Sequence, residues 1–491
     1  MSASPGNPSR PIDAAGLRTA GRRPETPFSV VLPDGSAVLL RRLLRVLPAK
    51  RIVGEGEWNG RHVLIKLFVD GHSSRHWTKE KAGIDALRQA AILTPDLILA
   101  SHLPAGGHVL LSAYLDDSQS LAEAWKGVAA LPVGDQAALA VLRPAFRLLG
   151  SMHAAGLVQD DLHLGNFLRC GDQLFVIDGD AVRAISPGQP LGEEQAASNL
   201  AILLAQLPIR WDGCHEALLV AYREGGGRHL VDRSRLESEL KHVRSWRLNN
   251  FLGKTVRDCS RFAIEQRAFR FSAVWRAEAE RLAPLLASPD QAMSQGRLLK
   301  DGRTSTVALV VHDSRQLVIK RYNLKNLKHV LERFWRPSRA WHSWREGHRL
   351  QFFGIPTPTP LALLEERIGP LRRRAFLVNE FCPGISLQDC LSPDTEPDNE
   401  VALAIISLFQ DLHDLRISHG DLKASNLLWH DGRVLLIDLD AMVQHRSESG
   451  HTRAWRRDRV RLLRNWPSTS VVHRWLDKHL PSATQLNGQK T

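Results

Sequence analysis

Two short stretches of this chain carry the same acidic pattern. The first reads VQDDLHLGNFL and then FVIDGDAV; the second reads ISHGDLKASNLL and then LLIDLDAM. Asp161, Asn166 and Asp178 return as Asp421, Asn426 and Asp438, each displaced by 260 positions (421−161, 426−166, 438−178). An aspartate, an asparagine five residues later and an aspartate closing an apolar strand supply what phosphoryl transfer from ATP requires. That reaction asks for positioning and charge neutralisation rather than covalent help. Asp421 is placed to accept or orient the proton of an attacking hydroxyl. Asn426 and Asp438 offer hard oxygen ligands to Mg2+. Lys320, within the strand pattern LVIK, suits the α- and β-phosphates, and Glu346 on the helical stretch that follows would pair with it. Lys423, two residues after Asp421, can neutralise the transferred phosphate.

The first copy offers Asp161, Asn166, Asp178, Lys66 and Glu80 in the same roles. His163 replaces the lysine and carries less charge at neutral pH. Asp180 and Asp440 follow the metal aspartates by two residues. In an extended segment they would face the same way and share the magnesium site; the bland alternative is a strand-end cap. Spacing of the DxxxxN type is common alone, as is a lysine in a strand; their ordered recurrence carries the reading. Asp85, Glu365 and Glu366 compete with Glu80 and Glu346, and Asp160 reads as a local structural acid. Neither copy has a GxGxxG loop. Gly54 to Gly60 forms an acidic hairpin whose Glu55 and Glu57 would repel phosphate, and the second copy has only DGRTSTV.

The surrounding pattern supplies scaffolds for both sets. Strands are expected around Pro33-Asp34-Gly35, then a hairpin over 50–68 carrying Lys66, a helix holding Glu80, and the strand HVLLSAYL. QAALAVLRPAFRLLGSMHAAG reads as a helix ending at Gly156, just before the first catalytic stretch. The second copy repeats the plan with TSTVALVV, RQLVIKRY, SRAWHSWREGHRLQFF, AFLVNEF and EVALAIISLFQDLHDL. Strands, a helix, more strands and a mainly helical remainder predict an α+β fold of two tandem bilobal domains, each with a β-rich N-lobe and a helical C-lobe. A helical segment over 265–287 interrupted near Pro284 to Pro289 sets the expected boundary. The expected parts are a disordered tail 1–27, domain one at 28–287, domain two at 288–481 and a tail 482–491.

Composition narrows the class. The chain has 491 residues, 43% apolar and 24% charged, with 65 basic against 52 acidic residues for a net +13. That balance favours an anionic partner without choosing among nucleotide, nucleic acid, phosphorylated glycan and membrane surface. Five scattered cysteines form no CxxC pair, which fits a reducing compartment and no structural zinc. No apolar run approaches the roughly 20 residues that span a bilayer, and the N-terminus lacks a secretory h-region. The expected location is cytoplasmic.

The second copy resembles the lipopolysaccharide core kinases, the heptose and Kdo kinases with a protein-kinase-like fold, through GIPTPTPLALLE, SWREGHRL, HGDLKASNLL and LLIDLDAM. The likeness covers about 290–480. The first copy, about 28–283, looks like a divergent relative, and its DDLHLGN is also similar to small-molecule phosphotransferases of the aminoglycoside or choline type. The resemblance implies ATP- and Mg2+-dependent phosphorylation of an inner-core sugar on the cytoplasmic face of the inner membrane. It makes Asp421 and Asp161 catalytic and Asp438 and Asp178 metal ligands. The partners it implies are a lipopolysaccharide core and lipid A acceptor, peripheral contact with the inner membrane, and core-assembly enzymes. Nine Lys/Arg interleave with Phe334, Trp335, Trp341 and Trp344 between Lys320 and Arg349, and HTRAWRRDRVRLLRNW is similar. These segments suit a phosphate- and carboxylate-rich acceptor or a membrane interface; the bland reading is core tryptophans beneath a solvated basic face. No nucleic-acid module is present. Two other readings stand: the first copy as a non-catalytic substrate-binding or scaffold module, and a kinase of small molecules or proteins.

Overall fold

The computed structural model describes residues 11–482, apart from 105, 130, 229–231, 324–336 and 369–370. The chain divides into two units, Met1–Arg244 and Ser245–Thr491.

The first unit begins with a six-stranded antiparallel sheet. Its strands Phe28–Val31, Ala37–Leu47, Arg51–Trp58 and Arg61–Phe68 are neighbours in order, followed by His108–Ala113 and, at the far edge, Leu97–His102. Alternation makes one face of this sheet a core: Val63, Ile65 and Leu67 are buried on the strand that carries Lys66. The helix Ser73–Gln89 crosses over and brings Glu80 inward. Below lie the helices Gln136–Ala154, Glu193–Leu204 and His215–Glu224, packed through Leu142, Phe146, Leu149, Leu200 and Trp211. Gly156 has φ +79°, and a Cβ there would meet the Ser186 carbonyl, so the turn into the catalytic stretch requires glycine.

The expected disordered tail is corrected over 11–27. Asp13 caps the helix Ala14–Thr19, whose Ala14 and Leu17 are buried against the sheet. Two apolar residues three apart on a capped helix suffice to dock it. Residues 1–10 and 483–491, where the tails were also expected, lie outside the described residues.

The second unit holds a seven-stranded sheet. Its order is Phe262–Arg267, Arg270–Trp275, Pro360–Ile368, Leu371–Glu380, Arg315–Tyr322, Ser305–His312 and Arg297–Asp301. The first two strands correct the sequence reading twice. The segment 265–287 is not one helix but a hairpin followed by the helix Ala279–Ala287. The hairpin pairs Arg270 to Val274 with Glu366 to Ala362, so it belongs to the second unit and the expected boundary near 288 falls inside that unit. The alternation in FAIEQR and RFSAVW buries Phe262, Phe271 and Ala273, a two-residue period that outweighs the helix-forming residues nearby. Helices Arg339–Phe353, Asn399–Asp414, Glu448–Leu463 and Val471–His479 complete the unit. Each unit is thus an α+β body of sheet, crossing helix and helical remainder. Among the described residues no helix is long and apolar enough to cross a membrane.

Candidate active site

The two catalytic stretches fold alike. Asn166 donates its side-chain N–H to the Asp161 carbonyl at 2.8 Å, and Asn426 donates to the Asp421 carbonyl at 2.8 Å. The backbone carbonyl of each asparagine accepts from Ile177 and Ile437, the residues just before the metal-type aspartates. Each asparagine is therefore curled back toward the strand that ends at Asp178 or Asp438. Both aspartates have positive φ, 71° and 59°, and open a short 3-10 turn. That left-handed backbone, uncommon outside glycine, turns the carboxylate away from the strand. The segment is not extended, so the expected same-face argument for Asp180 and Asp440 does not hold.

In the first unit Lys66 lies between Glu80 (2.5 Å) and Asp178 (3.0 Å), and Arg51 lies 3.1 Å from Asp180. Burial opposes the Lys66 charge, but Glu80 and Asp178 outweigh it and raise its pKa. Burial pushes Glu80 up against the pull of Lys66. Asp178 is held low because Lys66 and Arg51 overcome its burial. The contact between helix and loop depends on two glycines. A Cβ on Gly179 would sit 2.6 Å from the Glu80 carbonyl, and one on Gly83 would sit 1.8 Å from the Gly179 carbonyl. Glu80, Asp178 and Asp180 offer carboxylate oxygens within 4.8 Å of one another.

The second unit solves the same problem differently. Lys320 contacts Asp438 at 2.5 Å and Asp440 at 2.9 Å. Glu346 does not reach it; that expectation is corrected, because Glu346 is engaged by Arg349 at 2.8 Å. The residue in the place of Gly179 is Leu439, which cannot occupy the backbone contact that brings Glu80 close. Asp440 takes the glutamate's place as partner of the lysine. Tyr322 and Ser343 donate to its Oδ1 at 2.6 and 2.7 Å, and Lys320 and Arg339 to its Oδ2. Burial raises Asp440, and Lys320 with the two hydroxyls more than compensates, holding it low. Burial, then Asp440, lifts Tyr322 well above the ordinary phenol range. With four donors on its two oxygens, Asp440 is not free for a metal, against the expectation. Asp438 and Asp178 each have only one oxygen engaged by lysine. The second oxygens, with the uncommitted Oδ1 of Asn426 and Asn166, form the hard donor set that suits Mg2+.

Around Asp421, Lys423 Nζ lies 3.1 Å from Oδ2 and Arg461 Nη1 lies 3.0 Å from Oδ1. Among the described residues Asp161 has no such cations and His163 makes no side-chain hydrogen bond. Asp160 pairs with Arg183 at 2.7 Å, a structural role. Asp85 pairs with Lys81, Glu365 with Arg367 and Glu366 with Arg374, so none of the three substitutes for Glu80 or Glu346. The hairpin glutamates do not face phosphate unneutralised: Glu55 pairs with Arg42 and Glu57 with Arg41, and the Arg42 hydrogen bond lowers Glu55 to about 2. Gly54 and Gly56 are explained by packing, since a Cβ on either would strike the backbone of the strand Ala37–Leu47.

Residues the sequence reading passed over hold the loops in place. Buried Asp458 accepts from the backbone N–H of His419 (2.6 Å) and Gly420 (3.0 Å). Asn199 does the same in the first unit, accepting from Gln159 N–H at 3.3 Å and donating to its carbonyl at 2.8 Å. The offset of 259 (458−199) was a findable signal; Arg51, Arg339, Tyr322, Ser343 and Arg461 had none. Among the basic-aromatic residues, Trp341 packs on Phe271, while Trp344, Trp455 and Trp466 are buried, so the core reading holds for these; Phe334 and Trp335 lie outside the described residues. A pocket lined by Lys320, Tyr322, Ser343, Asn379, Asp438 and Asp440 marks the second site. A larger cavity of about 490 Å³ beside Gly296, Val311 and Phe381 shares none of these residues, and chemistry rather than volume distinguishes the two.

Residues 292–477 match the model of the lipopolysaccharide kinase (Kdo/WaaP) family. The match lies in the second unit and covers less than half of the chain. A 3-deoxy-D-manno-octulosonic acid kinase of Mannheimia succiniciproducens is 35% identical over 97 residues, 19% of this chain and 40% of the relative. The human serine/threonine-protein kinase RIO3 is 32% identical over 97 residues, 20% of this chain and 18% of the relative. The alignments thus span less than half the length of these two relatives. Among solved structures, WaaP in complex with acyl carrier protein aligns with 42% of this chain and 89% of its own at 18% identity and a TM-score of 0.33. Vaccinia related kinase 3 aligns with 47% and 87% at 13% identity and 0.28. The matched span contains the whole second set, from Lys320 to Asp440.

Proposed function

We propose that the chain is an ATP- and Mg2+-dependent kinase that phosphorylates a sugar hydroxyl, a heptose in the first instance, of the lipopolysaccharide inner core. The observation that carries this is the assembly of Lys320, Asp421, Asn426 and Asp438 within the segment that matches the lipopolysaccharide kinase family. Lys320 holds the α- and β-phosphates, oriented by Asp440. Asp421 orients the acceptor hydroxyl and receives its proton, and Lys423 offsets charge on the transferred group. Asn426 and Asp438 are the residues that would hold magnesium, whose charge would offset that of the phosphate oxygens. Both units are read as bilobal kinase-like domains in tandem, acting at the cytoplasmic face of the inner membrane where such an acceptor is assembled.

For the first unit, the Lys66–Glu80–Asp178 contacts support nucleotide binding. That no described cation pairs with Asp161 supports an accessory, acceptor-holding role rather than transfer.

The test is transfer of labelled γ-phosphate from ATP to unphosphorylated core lipopolysaccharide. Asp421→Ala is expected to lower the rate at least about a hundredfold, as loss of a general base does, with circular dichroism showing an intact fold. Asp161→Ala is expected to reduce it far less. Normal transfer by Asp421→Ala refutes the assignment, and equal losses would make both units catalytic.

A further inference from the structure

The charge of the acceptor can be read from the helix Glu448–Leu463, given the kinase reading of Asp421 on which this inference rests. Asp458 pins that helix to the catalytic loop. Arg453, Arg457 and Arg461 follow at four-residue steps and Arg464 three further on, so all four line one helical face. All are exposed. Arg461 Nη1 donates to the Gly420 carbonyl at 2.6 Å and lies 3.0 Å from Asp421 Oδ1. The side chains of Arg453, Arg457 and Arg464 have no hydrogen bond or ion pair among the described residues. Like charges four apart on a helix destabilise it, so nothing in the fold itself calls for this stripe.

The first unit shows that the fold manages without it. Its equivalent helix, Glu193–Leu204, is anchored by Asn199 in the same manner. Counting back 259 positions, Arg453, Arg457, Arg461 and Arg464 become Glu194, Ser198, Ile202 and Ala205. The stripe is therefore a property of the second site. A bilayer surface is the weaker occupant, because Trp455 and Trp466, the aromatic anchors of this segment, are buried, and beside the exposed arginines of this helix the exposed large apolar side chain is a single valine, Val460. Guanidinium forks match carboxylates and phosphates.

We propose that this arginine stripe is the acceptor-recognition face of the second unit. It binds a carboxylate or phosphate of the acceptor saccharide beside the hydroxyl to be phosphorylated. Arg461 is a specificity-determining residue: it holds Asp421 in the free enzyme and turns to the acceptor's anion on binding, which frees the Asp421 oxygen for the hydroxyl proton.

The experiment measures binding of deacylated lipopolysaccharide core, which keeps its phosphates and carboxylates but forms no membrane, to the full chain by calorimetry. Arg457→Gln/Arg464→Gln is expected to weaken binding about tenfold, as loss of one or two charge-assisted hydrogen bonds would, and to flatten its salt dependence. A dephosphorylated, carboxyl-reduced core should bind both proteins weakly and alike. In transfer assays Arg457→Gln should raise KM more than it lowers kcat, whereas Arg461→Gln should impair both. Equal affinity of wild type and double variant for the charged core overturns the proposal. So does a loss confined to anionic phospholipid vesicles. Charge-dependent binding of the core without any phosphate transfer would support the stripe and strike the kinase reading alone.

Discussion

Lys66 and Lys320 occupy the same strand position in two related units, yet each is held by a different acid. Lys66 is gripped by Glu80, delivered by a helix that approaches the loop after Asp178 through Gly83 and Gly179. Lys320 is gripped by Asp440, from the loop itself, while the helix contributes only the hydroxyl of Ser343 to the same carboxylate. What the site needs is an anion against the lysine; which element supplies it follows from how closely the backbones can pack. One side chain at the position after Asp178 or Asp438, none in Gly179 and four carbons in Leu439, separates the two solutions.

The comparison can be broken most sharply at Asp440. Asp440→Ala leaves Lys320 with Asp438 alone and takes the acceptor from the buried Tyr322 and Ser343 hydroxyls, and is expected to cost the second unit about 3 kcal/mol, roughly 1–3 for each buried polar group left unsatisfied. Denaturant melting would show it. Mg2+-ATP affinity should fall with it, while Glu346→Gln should leave that affinity within about twofold; a large effect of Glu346→Gln would restore the helix as the source of the lysine's partner. A smaller effect tests the loop anchors. Asp458→Ala should destabilise by about 2–3 kcal/mol, since a charged acceptor of backbone N–H groups is lost, and Asn199→Ala by less because its bonds are neutral. Equal losses would mean that charge is irrelevant to the anchor.

The smallest expected effect is one the units share. Burial pushes His153 in the first unit and His348 in the second down to about 4. Unfolded histidine takes up a proton below about pH 6.5, whereas these do so only near 4. Stability is therefore intact above pH 6.5 and falls as pH is lowered toward 4. Between pH 7 and pH 5 the loss should be about 2 kcal/mol per histidine. His348→Gln should remove that increment from the second unit's urea midpoint; an unchanged pH dependence would assign it to other groups.

Most of the catalytic pattern was legible in the sequence because it is local. Asp421 and Asn426 lie on one turn, and the strands bearing Lys66 and Lys320 announce themselves by alternation. Glu80 was found because its helix follows directly. Glu346 failed for the converse reason: the choice between it and Asp440 depends on the approach of two backbones, which no periodicity records. Arg51 and Arg461 act from strands and helices remote in sequence, and only tertiary packing brings them in. The hairpin Phe262–Trp275 was misread because a short apolar run between helices is ambiguous until its partner strand is known.

That hairpin separates what is recognisable in sequence from what folds together. The family model matches from residue 292, but the sheet on which Lys320 rides is completed by residues that precede it, with Phe262 and Phe271 filling the core behind Trp344. The matched segment is thus not a complete folding unit: a cut at its start would leave the flank of Pro360–Ile368 unpaired, an invitation to aggregate.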